Sequence, residues 1–303
     1  MFGKRLIVTA FVTALVLHGV PLQAHVVHGN PASSSVIIHD DSGRTVSVRV
    51  PVRRVVTLAP SNTDIIEALG LTTAVVGASN TDDNPLPASV NRIGFVNPSV
   101  EEIVAAGPGL VLGIYGQNMV CTQLGRFGIP CMILSPKNLD GVMHDITLVG
   151  GLFSAAGRAA IVVDGMKRII GNINARLAHC TKEPRVYFEI DASDPSNPFS
   201  VGRGSFIDSL ITMSHAVNIA HTVDDLWPQL SSEYIIAQDP DVIIMSHHVA
   251  LSVLRQRPGW SAIKAIQTGR VYTIDANLVS RPGPDIVNAF AEIAKDIHPE
   301  VFR

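Results

Sequence analysis

The stretch "SVIIHDDSGRTVSVRVPV" alternates apolar and polar residues with period two around an Asp-Ser-Gly turn. That pattern predicts a hairpin. "RRVVTLAPSNTDIIEALG" follows as a short apolar strand, a Pro-Ser-Asn corner and a helix, with Ser61 or Asn62 expected to cap the first helix amides. "TAVVGAS", "GLVLGI" and "PCMILS" read as buried strands, and "PSVEEIVAAG" and "QLGRFGI" as helices between them. Strands alternating with helices predict a parallel sheet covered on both faces. Residues 138 to 153 read as another helix. From about 156 to 180 the chain lacks proline and places Val162, Met166, Ile169, Ile170, Ile173 and Leu177 at helical spacing. One helix of about 35 Å results at the standard rise, long enough to span two lobes. The rhythm then restarts with "RVYFEI", "FIDSLITMSH", "SSEYIIAQD", "DVIIMS" and "RVYTID", and closes on the helix "PDIVNAFAEIAKDIH".

The two halves share a phrase. "SVEEIVAAGPGLVLG" begins at Ser99 and "SSEYIIAQDPDVIIM" at Ser231, so Glu101 and Glu233 stand in the same slot, 132 residues apart. The expected fold is therefore α/β, with two Rossmann-like lobes, each built on a mostly parallel sheet and joined by one long helix. The expected division is an export signal over 1–24, a flexible mature N-terminus over 25–35, a lobe over 36–153, a linking helix over 154–181 and a second lobe over 182–303.

The export reading rests on Lys4 and Arg5, the apolar run from Leu6 to Leu17, Pro21, and the cleavage-like Leu22-Gln23-Ala24. No cysteine lies near that point to carry a lipid anchor, so a periplasmic protein is expected. Length and composition agree with two folded lobes: 303 residues, 47% hydrophobic, 16% charged. A net charge of −3 provides no basic field for nucleic acid. Three cysteines, Cys121, Cys131 and Cys180, are too few for a disulfide scaffold. Cys121 and Cys131 are placed on a helix and the next strand and are expected to remain unbridged.

No catalytic signature is present: no G-x-S-x-G elbow, Walker loop or H-E-x-x-H. "VGRGS" has too few glycines for a dinucleotide fingerprint. His215, His247 and His248 are scattered, without metal-ligand spacing, so no resident cofactor or metal site is expected. Aromatics make up only 5% of the chain, yet Phe95, Tyr115, Phe199 and Trp227 all fall just past strands or in loops. Rings placed there suit a cleft for a flat organic ligand. Arg281, on the stiff "SRPGPD" loop, could reach a ligand's polar edge. Trp260 reads as packing.

Together "RVVTLAPSNTDIIEALG", "GFVNPSVEEIVAAGPGLVLG", "NPFSVGRGSFIDSLI", "LWPQLSSEYIIAQDPDVIIM", "PGWSAIKAIQTGRVYTID" and "RPGPDIVNAFAEIAKDIHPEVF" resemble the class III solute-binding proteins of ABC importers. Those proteins serve cobalamin, ferric siderophores and heme. "WPQLSSE" and "RPGPDIV" are most similar to the cobalamin binders, which implies Trp227, Arg281 and Phe199 as ligand contacts. The chain departs from them at Asn84, where the family's turn has tyrosine, and at Ile114, where it has tryptophan. "IGFVNPS" resembles the heme binders too, but with Phe95 in place of an iron-ligating tyrosine. The resemblance implies that Glu101 and Glu233 dock into arginine pockets of a permease that works with an ATPase. It implies a monomer that carries a corrinoid, with ferric siderophore or heme as the alternative. The contrasting class, a bilobal metal-dependent or chelatase-like enzyme, lacks an acid–base or metal constellation in this sequence.

Overall fold

The computed structural model describes residues 34–303; the export-signal reading and nearly all of the N-terminal tail lie outside the described residues. The hairpin pairs β1 (Ser34–His39) with β2 (Thr45–Val50), antiparallel. Val46 and Val48 turn inward between exposed neighbours, as alternation requires. Asp40 closes the turn by accepting from the Ser42 and Arg44 amides. It also accepts from the Ile133 amide, which stitches the hairpin to the first lobe.

That lobe runs β3 (Val55–Thr57), α1 (Pro60–Ala68), β4 (Val75–Ser79), β5 (Asn91–Ile93), α2 (Val100–Ala106), β6 (Leu110–Gly113), α3 (Asn118–Gly125) and β7 (Cys131–Ile133). Its sheet has the order β5-β4-β3-β6-β7 and every pairing is parallel. α4 (Leu139–Leu152) and α5 (Ala156–Leu177) follow. The second lobe runs β8 (Arg185–Asp191), β9 (Phe199–Ser200), α6 (Phe206–Met213), β10 (Val217–Asn218), α7 (Ser232–Gln238), β11 (Val242–Met245), α8 (Leu251–Leu254), α9 (Lys264–Thr268), β12 (Val271–Thr273), α10 (Ala276–Ser280) and α11 (Ile286–Ile297). Its order is β10-β8-β11-β12, parallel throughout, with β9 added antiparallel along the end of β8.

The repeat is a structural one. Val55 pairs with Leu110 in the first sheet, and Val186 with Val242 in the second. α2 and α7 each have seven residues and a serine cap, Ser99 accepting from the Glu102 amide and Ser231 from the Tyr234 amide. Both end on a left-handed residue, Gly107 at φ 59° and Asp239 at φ 42°. Glycine takes that conformation without strain, and aspartate is among the few side chains that tolerate it.

α5 is an unbroken helix of 22 residues. It packs on α4 at one end and α11 along the other, through buried Ala159, Val163, Met166, Ile173 and Leu177. One apolar core therefore runs through both lobes by way of α4, α5 and α11. Two smaller cores, around Ile103 and Val111 in the first lobe and Ile235 and Ile243 in the second, lie on the opposite faces of the sheets. Ile169, assigned to the buried face from its spacing, is 37% exposed.

Two local expectations are corrected. α1 begins at Pro60, with Ala59 in the capping position and no side-chain cap; Ser61 and Asn62 are already inside the helix. Proline's fixed φ and missing amide suit the first turn, so the helix starts two or three residues earlier than a cap at Ser61 or Asn62 predicts. Cys121 and Cys131 are bridged, against the unbridged expectation. The return from α3 to β7 brings their Cα atoms to 5.0 Å, within the range a disulfide needs. Cys180 remains a free thiol.

Candidate binding cleft

In open α/β sheets, ligands bind beyond the carboxyl ends of the strands where strand order reverses. Here those points fall between β3 and β6, and between β8 and β11. Gln117, buried just past β6, ties the first of them together. Its Nε2 donates to the carbonyls of Leu58 and Phe95, 3.3 Å each, and its Oε1 accepts from the Ile114 amide at 3.0 Å. The Phe95 amide also donates to Asn80 Oδ1 at 3.0 Å. Phe95 is thus held half-buried on a pinned loop, while Tyr115, adjacent to Ile114, is 71% exposed. Gln117 carried no sequence signal, because an isolated glutamine after a strand matches no motif.

Phe199 and Trp227 lie on one ribbon of the second lobe. Phe199 bridges Gln229, the Ser200 amide donates to Pro228 O at 2.8 Å, and the Gly202 amide donates to Leu226 O at 3.0 Å. Both rings stay partly open, Phe199 at 40% and Trp227 at 47%. A buried network lies beneath the ends of β8 and β11. Glu189 accepts from Arg257 at 2.6 and 3.0 Å and from the Tyr187 hydroxyl at 3.0 Å. Arg257 stacks over the Trp260 ring at 4.4 Å, and Trp260 is fully buried, the packing role read from sequence. Burial first, and then the Glu189 charge, push the Tyr187 phenol far up, so it stays neutral and donates. His247 Nε2 lies 3.0 Å from Glu189 Oε1, outside hydrogen-bond alignment. His247 follows β11 at the spacing at which Tyr115 follows β6. His248 is exposed. His215 stands at the amino end of β10, the opposite edge of the sheet, and so is placed away from this crevice.

Arg281 does not project freely. Its Nη1 donates to Asp83 Oδ1 at 2.6 Å, joining the second lobe to the first. That contact holds the Asp83 carboxyl below its usual range. The same loop brings Gly283 so near α1 that a Cβ there would stand 3.2 Å from Asp64 Cβ. Asn84 donates to Asp64 at 2.8 Å and Asp82 at 3.0 Å. Burial pushes the Asp64 carboxyl up. The Arg281 loop is therefore an inter-lobe contact lined by acids.

Glu101 and Glu233 are both exposed in the first turns of α2 and α7. Glu102 is exposed as well, whereas its counterpart Tyr234 donates to Ile219 O at 2.8 Å and packs. Surface depressions lie elsewhere, one beside the Cys121–Cys131 bridge and one around His215 and His221. No helix among the described residues is long and apolar enough to cross a membrane.

Two doubly wound parallel sheets joined by one unbroken helix of 22 residues define a two-lobed α/β protein. The chain belongs to the periplasmic binding protein family, whose model matches residues 55–278. It is 30% identical over 275 residues to an uncharacterised ABC transporter substrate-binding lipoprotein of Bacillus subtilis, covering 88% of this chain and 87% of the relative. It is 29% identical over 279 residues to a cobalamin-binding protein of Halobacterium salinarum, covering 86% and 73%. The fold matches the periplasmic vitamin B12 binding protein of Vibrio cholerae with a TM-score of 0.73 at 20% identity, over 82% of this chain and 98% of that one. The family's members are transport binding proteins, and this chain is a binding protein, not an enzyme.

Proposed function

We propose that the chain is the extracytoplasmic receptor of an ABC importer, that it works as a monomer, and that its cleft takes a corrinoid. The observation that carries this reading is the set of large rings left open on both lobes: Tyr115 just past β6 in the first, and Phe199 and Trp227 on the β9 ribbon of the second. Exposed aromatics at a sheet crevice offer apolar, weakly directional contact suited to a broad macrocycle. The cobalamin-binding relative supports the same choice. In this reading Phe95 lines the crevice floor, and Arg281 exchanges Asp83 for a polar group of the solute. The lobes are 36–153 and 182–303, joined by 154–181, and residues 1–24 direct export. A ferric siderophore or heme is the second reading, favoured by His247, an imidazole beside the strand ends and backed by Glu189.

The test is a titration of the purified protein with cobinamide, cyanocobalamin, hemin and ferric siderophores, read by calorimetry and absorbance. The expected result is saturable one-to-one binding of a corrinoid, weakened roughly tenfold or more by Trp227→Ala, as for a central aromatic anchor. Binding of hemin or a siderophore alone would transfer the assignment to the second reading. Unchanged corrinoid affinity in Trp227→Ala would remove that ring from the cleft.

A further inference from the structure

The amino edge of the second sheet, opposite the cleft, carries a separate cluster. α5 ends at Leu177, and the chain turns there, the Cys180 amide donating to Leu177 O at 2.8 Å. α11 ends at Ile297, followed by His298 and a short turn over Pro299–Val301. These two segments already touch: Arg176 Nη1 donates to Val301 O at 3.4 Å and stacks over the Phe302 ring. His298 is 1% exposed. Its Nε2 lies 2.9 Å from the Ser214 carbonyl and 3.4 Å from that of His215. Carbonyls only accept, so Nε2 carries the proton. Nδ1 is left facing Glu300 Oε1 at 3.4 Å. Cys180 Sγ completes the group, and the three donor atoms lie within 4.8 Å of one another.

We propose that Cys180, His298 and Glu300 form a binding site for a borderline-soft divalent cation of the zinc type, pinning the end of the linking helix to the C-terminal segment. The spacing fits a metal better than a hydrogen bond. A charge-assisted N–H···O contact closes to about 2.7–2.9 Å. Two ligands held about 2.0–2.1 Å from a tetrahedral zinc stand about 3.3–3.4 Å apart. A small swing of the half-buried Cys180 side chain brings its sulfur to a third vertex, and water takes the fourth. One thiolate and one carboxylate neutralise a divalent ion. The Nε2 contact to backbone carbonyls is the outer support that fixes a ligating imidazole. With Cys121 and Cys131 bridged, Cys180 is the free thiol of the chain, so a thiolate signal reports this site alone.

The untagged full chain, stripped with chelator, is titrated with Co2+ and then Zn2+. The expected result is a thiolate-to-cobalt charge-transfer band that saturates at one equivalent and is displaced by zinc, with zinc raising the melting temperature. Cys180→Ser should abolish the band, and Glu300→Gln should weaken binding roughly tenfold or more. Both should retain the far-ultraviolet circular dichroism of the parent. His298→Ala is avoided, because loss of its buried carbonyl contact can itself unfold the region. Absence of the band, or zinc stabilisation that persists in Cys180→Ser, would overturn the site. Corrinoid binding in the same samples is independent of either outcome.

Discussion

Asp145 lies on α4 with its carboxyl buried near Asp41, and its Oδ2 has no partner among the described residues. Burial, reinforced by the Asp41 charge, pushes its pKa up to about 8 from an ordinary 3.8. The folded chain therefore holds a proton that the unfolded chain releases, and stability falls as pH rises from about 4 to about 8. Asp145→Asn removes the penalty. Its gain over the parent in urea melts should be near zero below pH 4 and reach the order of a few kcal/mol at pH 8. A gain independent of pH would assign the effect to packing instead. Glu189 poses the opposite case, a buried charge fully partnered by Arg257 and Tyr187. In "RVYFEI" that glutamate was visible as a charge inside a strand, but its arginine lies 68 residues away. The pairing was illegible because two residues that distant in sequence meet only once β8 and the loop after α8 have packed together.

The short helices α2 and α7 share a length, a serine cap and a left-handed stop because the same phrase spells both. Their caps accept the same third-position amide, so Ser99→Ala and Ser231→Ala should each cost about 1 kcal/mol in chemical denaturation. Losses that add in the double variant would show the two helices to be independent. Threonine at either position should restore most of the loss; a failure to do so would point to a tertiary role for the serine. Strands, helices and the period of the linking helix were legible at this scale, since buried faces impose spacing directly on the chain. The start of α1 at Pro60 and the Cys121–Cys131 bridge were not. The first depends on backbone geometry at one residue, the second on how closely α3 returns toward β7.

At the scale of the molecule, α5 couples the lobes through a core continuous with α4 and α11, so hinge opening by a wide angle would tear buried contacts. Small rotations are expected, with the Arg281–Asp83 pair as the contact that must yield at the rim. Glu101 and Glu233, one on each lobe, are proposed to meet arginine forks on a permease. Reversing both charges to arginine should abolish solute uptake in cells while calorimetric affinity for the solute stays unchanged. A parallel loss of affinity would place the two carboxylates in solute binding rather than docking. The sequence alone determined the alternation of strands and helices, the duplicated phrase, the long apolar helix and the scarcity of catalytic groups. Each of these is a local or periodic property, written where it acts. Tertiary structure decided the partners: Gln117 holding three segments, Phe199 set on the Trp227 ribbon, Arg281 committed to Asp83, and His298 facing Cys180 and Glu300. Those meetings join residues far apart along the chain, and only the packing of the sheets and helices sets the distances between them.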